Sequence, residues 1–201
     1  MSYEITNILD LLKQNPDEVV QWLLDEFKCT KNDEIDKFVH NKAISFAKQG
    51  LAVTYFMFSS SGDLAGIFAL ANKTLTVETE NISSSLQKKL EKFGKYDAAG
   101  TRITVPGILI AQIGKNENAE FPVAGSELLR LAEQQVGQIF YKAGGRIIYL
   151  ECEHEPKLFH FYESCQYRSI GDRIQKEPEQ DDIDYRVYIK FLDPMKIDLN
   201  E

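Results

Sequence analysis

The chain has 201 residues, 43% hydrophobic and 27% charged, with 23 Lys and Arg against 31 Asp and Glu and a net charge of −8. That length supports an ordinary buried core and a single domain over 1–201. The acidic balance disfavours extended contact with phosphate backbones, whose nonspecific affinity comes from Lys and Arg displacing counterions, and no run reaches the roughly 18 to 20 apolar residues of a membrane span.

A strand around Tyr3 to Thr6 opens the fold, followed by helical material from Ile8 to about Phe27 that breaks near Asn15 and Pro16. Ile35, Phe38, Val39, Ala43, Phe46 and Ala47 fall on one face of the next helix, which Thr30 or Asn32 can cap and Gly50 ends. Leu51 to Phe58 and Leu64 to Leu70 read as strands joined by the turn sequence SSSGD. An inserted helical segment follows at 77–102, in which Leu86, Leu90 and Phe93 have helical spacing while Lys88, Lys89, Lys92 and Lys95 line the other face. Those lysines suit the phosphates of a cofactor or an acidic acceptor; the alternative is a solvated helix face.

From Val105, PGILIAQIG is a near-continuous apolar run, as expected of a strand covered on both faces. After a loop, Leu128, Leu129, Ala132, Val136, Ile139, Phe140 and Ala143 share one helix face, and Gly144 and Gly145 stop the helix. RIIYLEC is the next strand, so the unit forms a right-handed crossover whose helix N-terminus points its free N–H groups beyond the first strand. KLFHFYESCQY is a second helix, and YRSIGDRI and YRVYIKFL make a closing antiparallel pair. Their connection carries Glu177, Glu179, Asp181, Asp182 and Asp184, which either attract a cationic amine or form a hydrated hairpin tip.

Cys29, Cys152 and Cys165 are an odd number without CxxC spacing, and His40, His154 and His160 lack metal-ligand spacing. Neither a disulfide framework nor a metal centre is expected, and the thiols read as reduced and packed. MSYEITNILD has no basic-then-apolar leader pattern, so a cytoplasmic location is expected.

AQIGKN at Ala111 to Asn116, a loop of matching length, GSELL at Gly125 to Leu129 and KLFHFYESCQY together resemble the GNAT superfamily of acetyl-CoA-dependent N-acyltransferases. That family shows LARLAVD, QxxGxG, xxLL and LYExxGF in this order, and Tyr162 falls on the tyrosine of the last. The resemblance is close over Val105 to Tyr167 and loose elsewhere. It implies an α/β fold with a central, partly splayed mixed sheet flanked by helices, and acetyl-CoA as cosubstrate. It places the backbone of Ile113 and Lys115 on the pantetheine arm and Phe121, Val123, Ala124, Gly125 and Ser126 around the diphosphate. The loop departs from the pattern: Glu120 replaces the glutamine, Val123 replaces the middle glycine, and Pro122 lacks an N–H.

The implied reaction is direct transfer of acetyl to a primary amine in a ternary complex. Tyr162 is the candidate general acid, because a phenol keeps its proton at neutral pH and can lend it to the leaving sulfur; the alternative is a ring that only packs, with its hydroxyl on a backbone carbonyl. Glu151 is the first candidate for the base, ahead of Glu153 and Glu155, against an ordinary sheet-edge carboxylate. Gln112 either orients the acceptor or is a satisfied buried amide. Two further readings stand beside this one. FKC followed by a helix and GLAVTYFMF is similar to the toxin branch that acetylates aminoacyl-tRNA, the one form in which nucleic acid is expected. The eroded loop instead fits a catalytically silent module of the same fold. A homodimer is left open.

Overall fold

The computed structural model describes residues 3–175 and 183–196. The described strands are β1 (Tyr3–Asn7), β2 (Val53–Ser59), β3 (Leu64–Glu78), β4 (Lys95–Tyr96), β5 (Arg102–Lys115), β6 (Ile147–Glu153), β7 (Arg168–Gln175) and β8 (Ile183–Phe191). The helices are α1 (Ile8–Gln14), α2 (Asp17–Asp25), α3 (Asp33–Asn41), α4 (Ala43–Lys48), α5 (Ser84–Leu90), α6 (Gly125–Ala143) and α7 (Pro156–Ser164). The strands hydrogen-bond in the order β1-β2-β3-β5-β6-β8-β7, with β4 on β5, which is the mixed sheet with flanking helices that the resemblance implies. Two compact units are interleaved in sequence, residues 3–71 with 110–135 and residues 72–109 with 136–196.

In the first unit β1, β2 and the start of β3 form an antiparallel meander, Tyr3 opposite Ser59 and Val53 opposite Leu70. Asn7 starts α1 by accepting from the Leu9 amide at 2.8 Å, and Asn32 starts α3 by accepting from the Ile35 amide at 2.9 Å. The single helix expected over 35–47 is two helices. Lys42, at φ −124° and ψ −25°, breaks the ladder between α3 and α4, yet Phe38, Val39, Ala43 and Ala47 all stay in the core with Ile8, Leu24, Phe27 and Phe56. The apolar stripe survives because burial, not ladder continuity, holds it.

The end of β5 is pinned from three sides. The buried Asn116 side chain accepts from the Lys28 amide at 2.9 Å and the Asn118 amide at 3.1 Å, and donates to the carbonyls of Leu64 at 2.9 Å and Glu26 at 3.2 Å. Its own amide donates to Ala65 at 2.9 Å. Two glycines permit the approach: a Cβ on Gly66 would meet the Gly114 carbonyl at 2.9 Å, and one on Gly114 would meet Ile35 at 3.0 Å and Phe27 at 3.1 Å.

In the second unit, the two faces of the sheet carry different chemistry. Leu86 and Leu90 of α5 pack with Ile103, Val105, Ile147, Tyr149, Val187 and Ile189 on one face. β6 and β8 pair with Glu151 opposite Val187 and Cys152 opposite Arg186, so strand alternation puts Cys152 on the other face, with α7. β3 continues to Glu78, beyond the expected end at Leu70, and β5 begins at Arg102 rather than Val105. The extension was visible as alternation, since Leu75 and Val77 are buried while Thr74 and Thr76 are exposed.

Asn116→Ala leaves the Lys28 amide and the Leu64 carbonyl without their partner, at a cost of about 1–3 kcal/mol for each buried orphan. The expected result is a urea midpoint lowered by a loss of ~2–4 kcal/mol, whereas Asn118→Ala, on the exposed loop, should change little.

Candidate functional site

The loop after β5 and the start of α6 hold the groups placed on the diphosphate. Val123 is 2% exposed and anchors the loop in the core, Phe121 is half-buried, and Ala124 and Ser126 face solvent. α6 begins with the amides of Glu127 and Leu128 donating to Ala124 at 3.0 and 3.1 Å, and the amides of Gly125 and Ser126 have no acceptor among the described residues. These are the open donors of a helix N-terminus. Just upstream, the Asp63 carboxylate from the β2–β3 turn accepts from the Glu120 amide at 2.9 Å and the Phe121 amide at 3.5 Å. A carboxylate therefore sits on loop donors, a feature sequence reasoning missed because Asp63 looked like turn chemistry alone. Glu120 itself is exposed. Ile113 and Gln112 are half-buried and Lys115 is exposed.

Tyr162, on α7, is 6% exposed. Its ring lies in an aromatic nest, with centroids 5.1 Å from Phe161, 5.7 Å from Tyr188 and 6.0 Å from Tyr167. Pro156 at the first turn presets the helix start, and Gln166 at φ 68° ends the turn after it. The hydroxyl makes no hydrogen bond to any described residue, yet it is not sealed from solvent. Burial, with the Cys152 and Cys165 thiols beside it, holds its proton well above the ordinary phenol range. The same desolvation pushes the Cys152 thiol up to about 12.

Glu151 is on the opposite face of β6. Its carboxylate, with 19% of the side chain exposed, takes the Arg173 guanidinium at 2.8 Å. Glu151 and Arg173 border a cleft of about 340 Å³ that is also lined by Tyr149, Asn81, Asp172 and Glu78. Burial first, then the Glu151 charge, push Tyr149 up to about 12. The structure thus gathers Gly125 and Ser126 at one helix start, puts Tyr162 in a dry nest, and puts Glu151 in a polar cleft on the other side of its strand. Glu155 pairs with Lys157 at 2.5 Å. His154 contacts Asp172 at 3.0 Å, and Arg186 holds the same carboxylate at 2.8 Å, which keeps Asp172 below the usual carboxylate range. Arg173 and Arg186 escaped sequence reasoning because each acts through a cross-strand partner. Cys29, Cys152 and Cys165 are free thiols. No group of metal-binding side chains occurs among the described residues, and no described helix is long and apolar enough to cross a membrane. The acidic connection at Glu177, Glu179, Asp181, Asp182 and Asp184 lies outside the described side chains.

No family model matches the chain, and no curated protein matches it. Solved structures do. AtaT complexed with acetyl-methionyl-tRNAfMet matches at a TM-score of 0.61 and 14% identity, over 92% of this chain and 94% of that one. A tyrosine-to-phenylalanine mutant of KacT matches at 0.59 and 14%, over 92% and 95%. A tyrosine-to-phenylalanine mutant of the AtaT toxin, bound to the C-terminus of the antitoxin AtaR and acetyl-CoA, matches at 0.57 and 12%, over 95% and 94%. The chain has the fold of these proteins, which is the fold the GNAT resemblance implies.

Alkaline pH tests the burial of these groups. Tyr149, Cys152 and Tyr188 are held at about 12 and Tyr162 higher, against ordinary values of 9.0 for the thiol and 10.0 for the phenols. Above those ordinary values the unfolded chain sheds protons that the native one keeps, so the stabilisation is fully present below pH ~9 and lost as pH rises toward ~12, by about 1.4 kcal/mol per unit for each such group. Denaturant titrations should give similar stability at pH 7 and 8.5 and a fall by pH 10.5, and Tyr162→Phe should flatten the fall.

Proposed function

We propose that the chain is an acetyl-CoA-dependent N-acetyltransferase whose acceptor is the amino group of an aminoacyl-tRNA. The fold it shares with AtaT and KacT supports the first part, and one of those neighbours, complexed with acetyl-methionyl-tRNAfMet, supports the second. The observation that carries the reading is Tyr162, whose ring is buried while its hydroxyl reaches solvent and has no partner among the described residues, at the position of the tyrosine in the resembled motif.

In this reading acetyl-CoA lays its pantetheine along the strand end at Ile113 and Lys115, and its diphosphate takes the open amides of Gly125 and Ser126. The acceptor nitrogen attacks the thioester carbonyl and surrenders its proton to water, since Glu151, on the face of β6 opposite Tyr162, does not share that site. The carbon–sulfur bond then breaks, and the leaving thiolate takes the Tyr162 proton, which solvent restores. A raised phenol is a weak acid for an ordinary thiolate near 8.5. Burial that disfavours charge acts on a nascent thiolate as it does on the phenol, which narrows the gap between them.

The Asp63 carboxylate on the loop amides favours the silent module as the competing reading. Acetyl-CoA separates the two, since a ligand at 100 times its dissociation constant adds about 2.7 kcal/mol of stability. A thermal shift is expected, with Tyr162→Phe retaining the shift while its rate of N-acetyl-aminoacyl-tRNA formation falls ~100-fold or more. No shift at millimolar acetyl-CoA supports the silent module, and acetylation of free amines without transfer to charged tRNA overturns the acceptor assignment.

A further inference from the structure

We propose that the outward face of α5 and its following turn, Lys88, Lys89, Lys92 and Lys95 with Phe93 and Tyr96, is the docking surface for the phosphate backbone of an RNA acceptor. This rests on the acyl-transfer reading for its purpose but not for its test. Ser83 caps α5 by accepting from the Leu86 amide at 3.3 Å, and Leu86 and Leu90 are buried, which turns the lysines outward. All four lysines are exposed, and none makes an ion pair among the described residues.

Among the nearby acids Glu78 is ion-paired, Glu91 and Asp97 take neutral donors that leave their charge in place, and Glu80 is exposed. Glu78 takes Arg102 at 2.6 Å, Glu91 accepts from the Tyr96 hydroxyl at 2.5 Å, and Asp97 accepts from the Thr101 and Arg102 amides at 2.9 and 3.1 Å, bonds that keep its carboxyl below the usual range. Residues 84–96 hold four lysines and one glutamate, a local charge of +3 in a chain of −8. Phe93 and Tyr96, 36% and 40% exposed, add ring surface to the cationic strip, the pairing that holds a nucleic-acid strand through phosphates and bases together.

Exposed rings beside the lysines suit a strand that offers bases as well as phosphates. An acidic protein would use the lysines without the rings.

The test is fluorescence anisotropy of labelled, deacylated bulk tRNA with the full chain at 50 to 200 mM salt, about the range over which phosphate contacts are read. For Lys88→Glu/Lys89→Glu/Lys92→Glu, affinity should fall at least tenfold, and the salt slope should lessen by about 2 to 3, near 0.9 per lost phosphate contact. The matching Lys→Arg variant should bind as the wild type does, and the acetyl-CoA thermal shift should be the same in all three proteins. Equal affinity and slope in the Glu variant, no tRNA binding by the wild type at 50 mM salt, or equal affinity for polyglutamate would each overturn the surface. Lysine-dependent tRNA binding without an acetyl-CoA shift would support the surface while removing the transferase reading.

Discussion

The Asn116 amide is the constraint on which the first unit turns. Four side-chain hydrogen bonds tie the end of β5 to the start of β3, the chain after α2 and the following loop. A buried amide has two donors and two acceptor sites, and this one uses both kinds, so the tie has direction as well as strength. It works only because Gly66 and Gly114 let backbone and core side chains close to distances that a Cβ would forbid. The strand end that the resemblance assigns to the pantetheine arm is therefore held by polar geometry at its tip and by absent side chains along its length.

The second unit handles its polar atoms differently. Tyr162, Tyr188 and Cys152 lie in a poorly solvated aromatic nest where every ionisation is disfavoured. On the other face of β6, charges meet in pairs, Glu151 with Arg173, while Arg186 joins Asp172 and His154 at the sheet edge. Such a division separates groups whose protons are held from charges that are held in pairs. Desolvation sets the first and cross-strand pairing sets the second.

Net charge and its distribution point in different directions. A total of −8 argues against a nucleic-acid partner, but Coulomb attraction acts over roughly a Debye length of about 8–10 Å, so a strip of lysines answers to the charges beside it rather than to the total. The same screening logic explains why the acid-rich remainder of the chain does not cancel that strip.

The sequence alone determined the order of elements from the strand at Val105 through α7, because 3.6-residue and two-residue periodicities report burial directly, and it singled out Tyr162 through a motif. It also supplied the helix start at Gly125 and the lysine face, since both depend on neighbours in the chain. Tertiary structure alone decided that Lys42 divides a helix, that Asp63 occupies loop amides, that Arg173 takes Glu151, and that Glu151 and Tyr162 stand on opposite faces of the sheet. Each of those facts joins residues far apart in the chain or turns on a backbone angle, and neither long-range register nor a single broken hydrogen-bond ladder leaves a periodic mark in the residues that cause it.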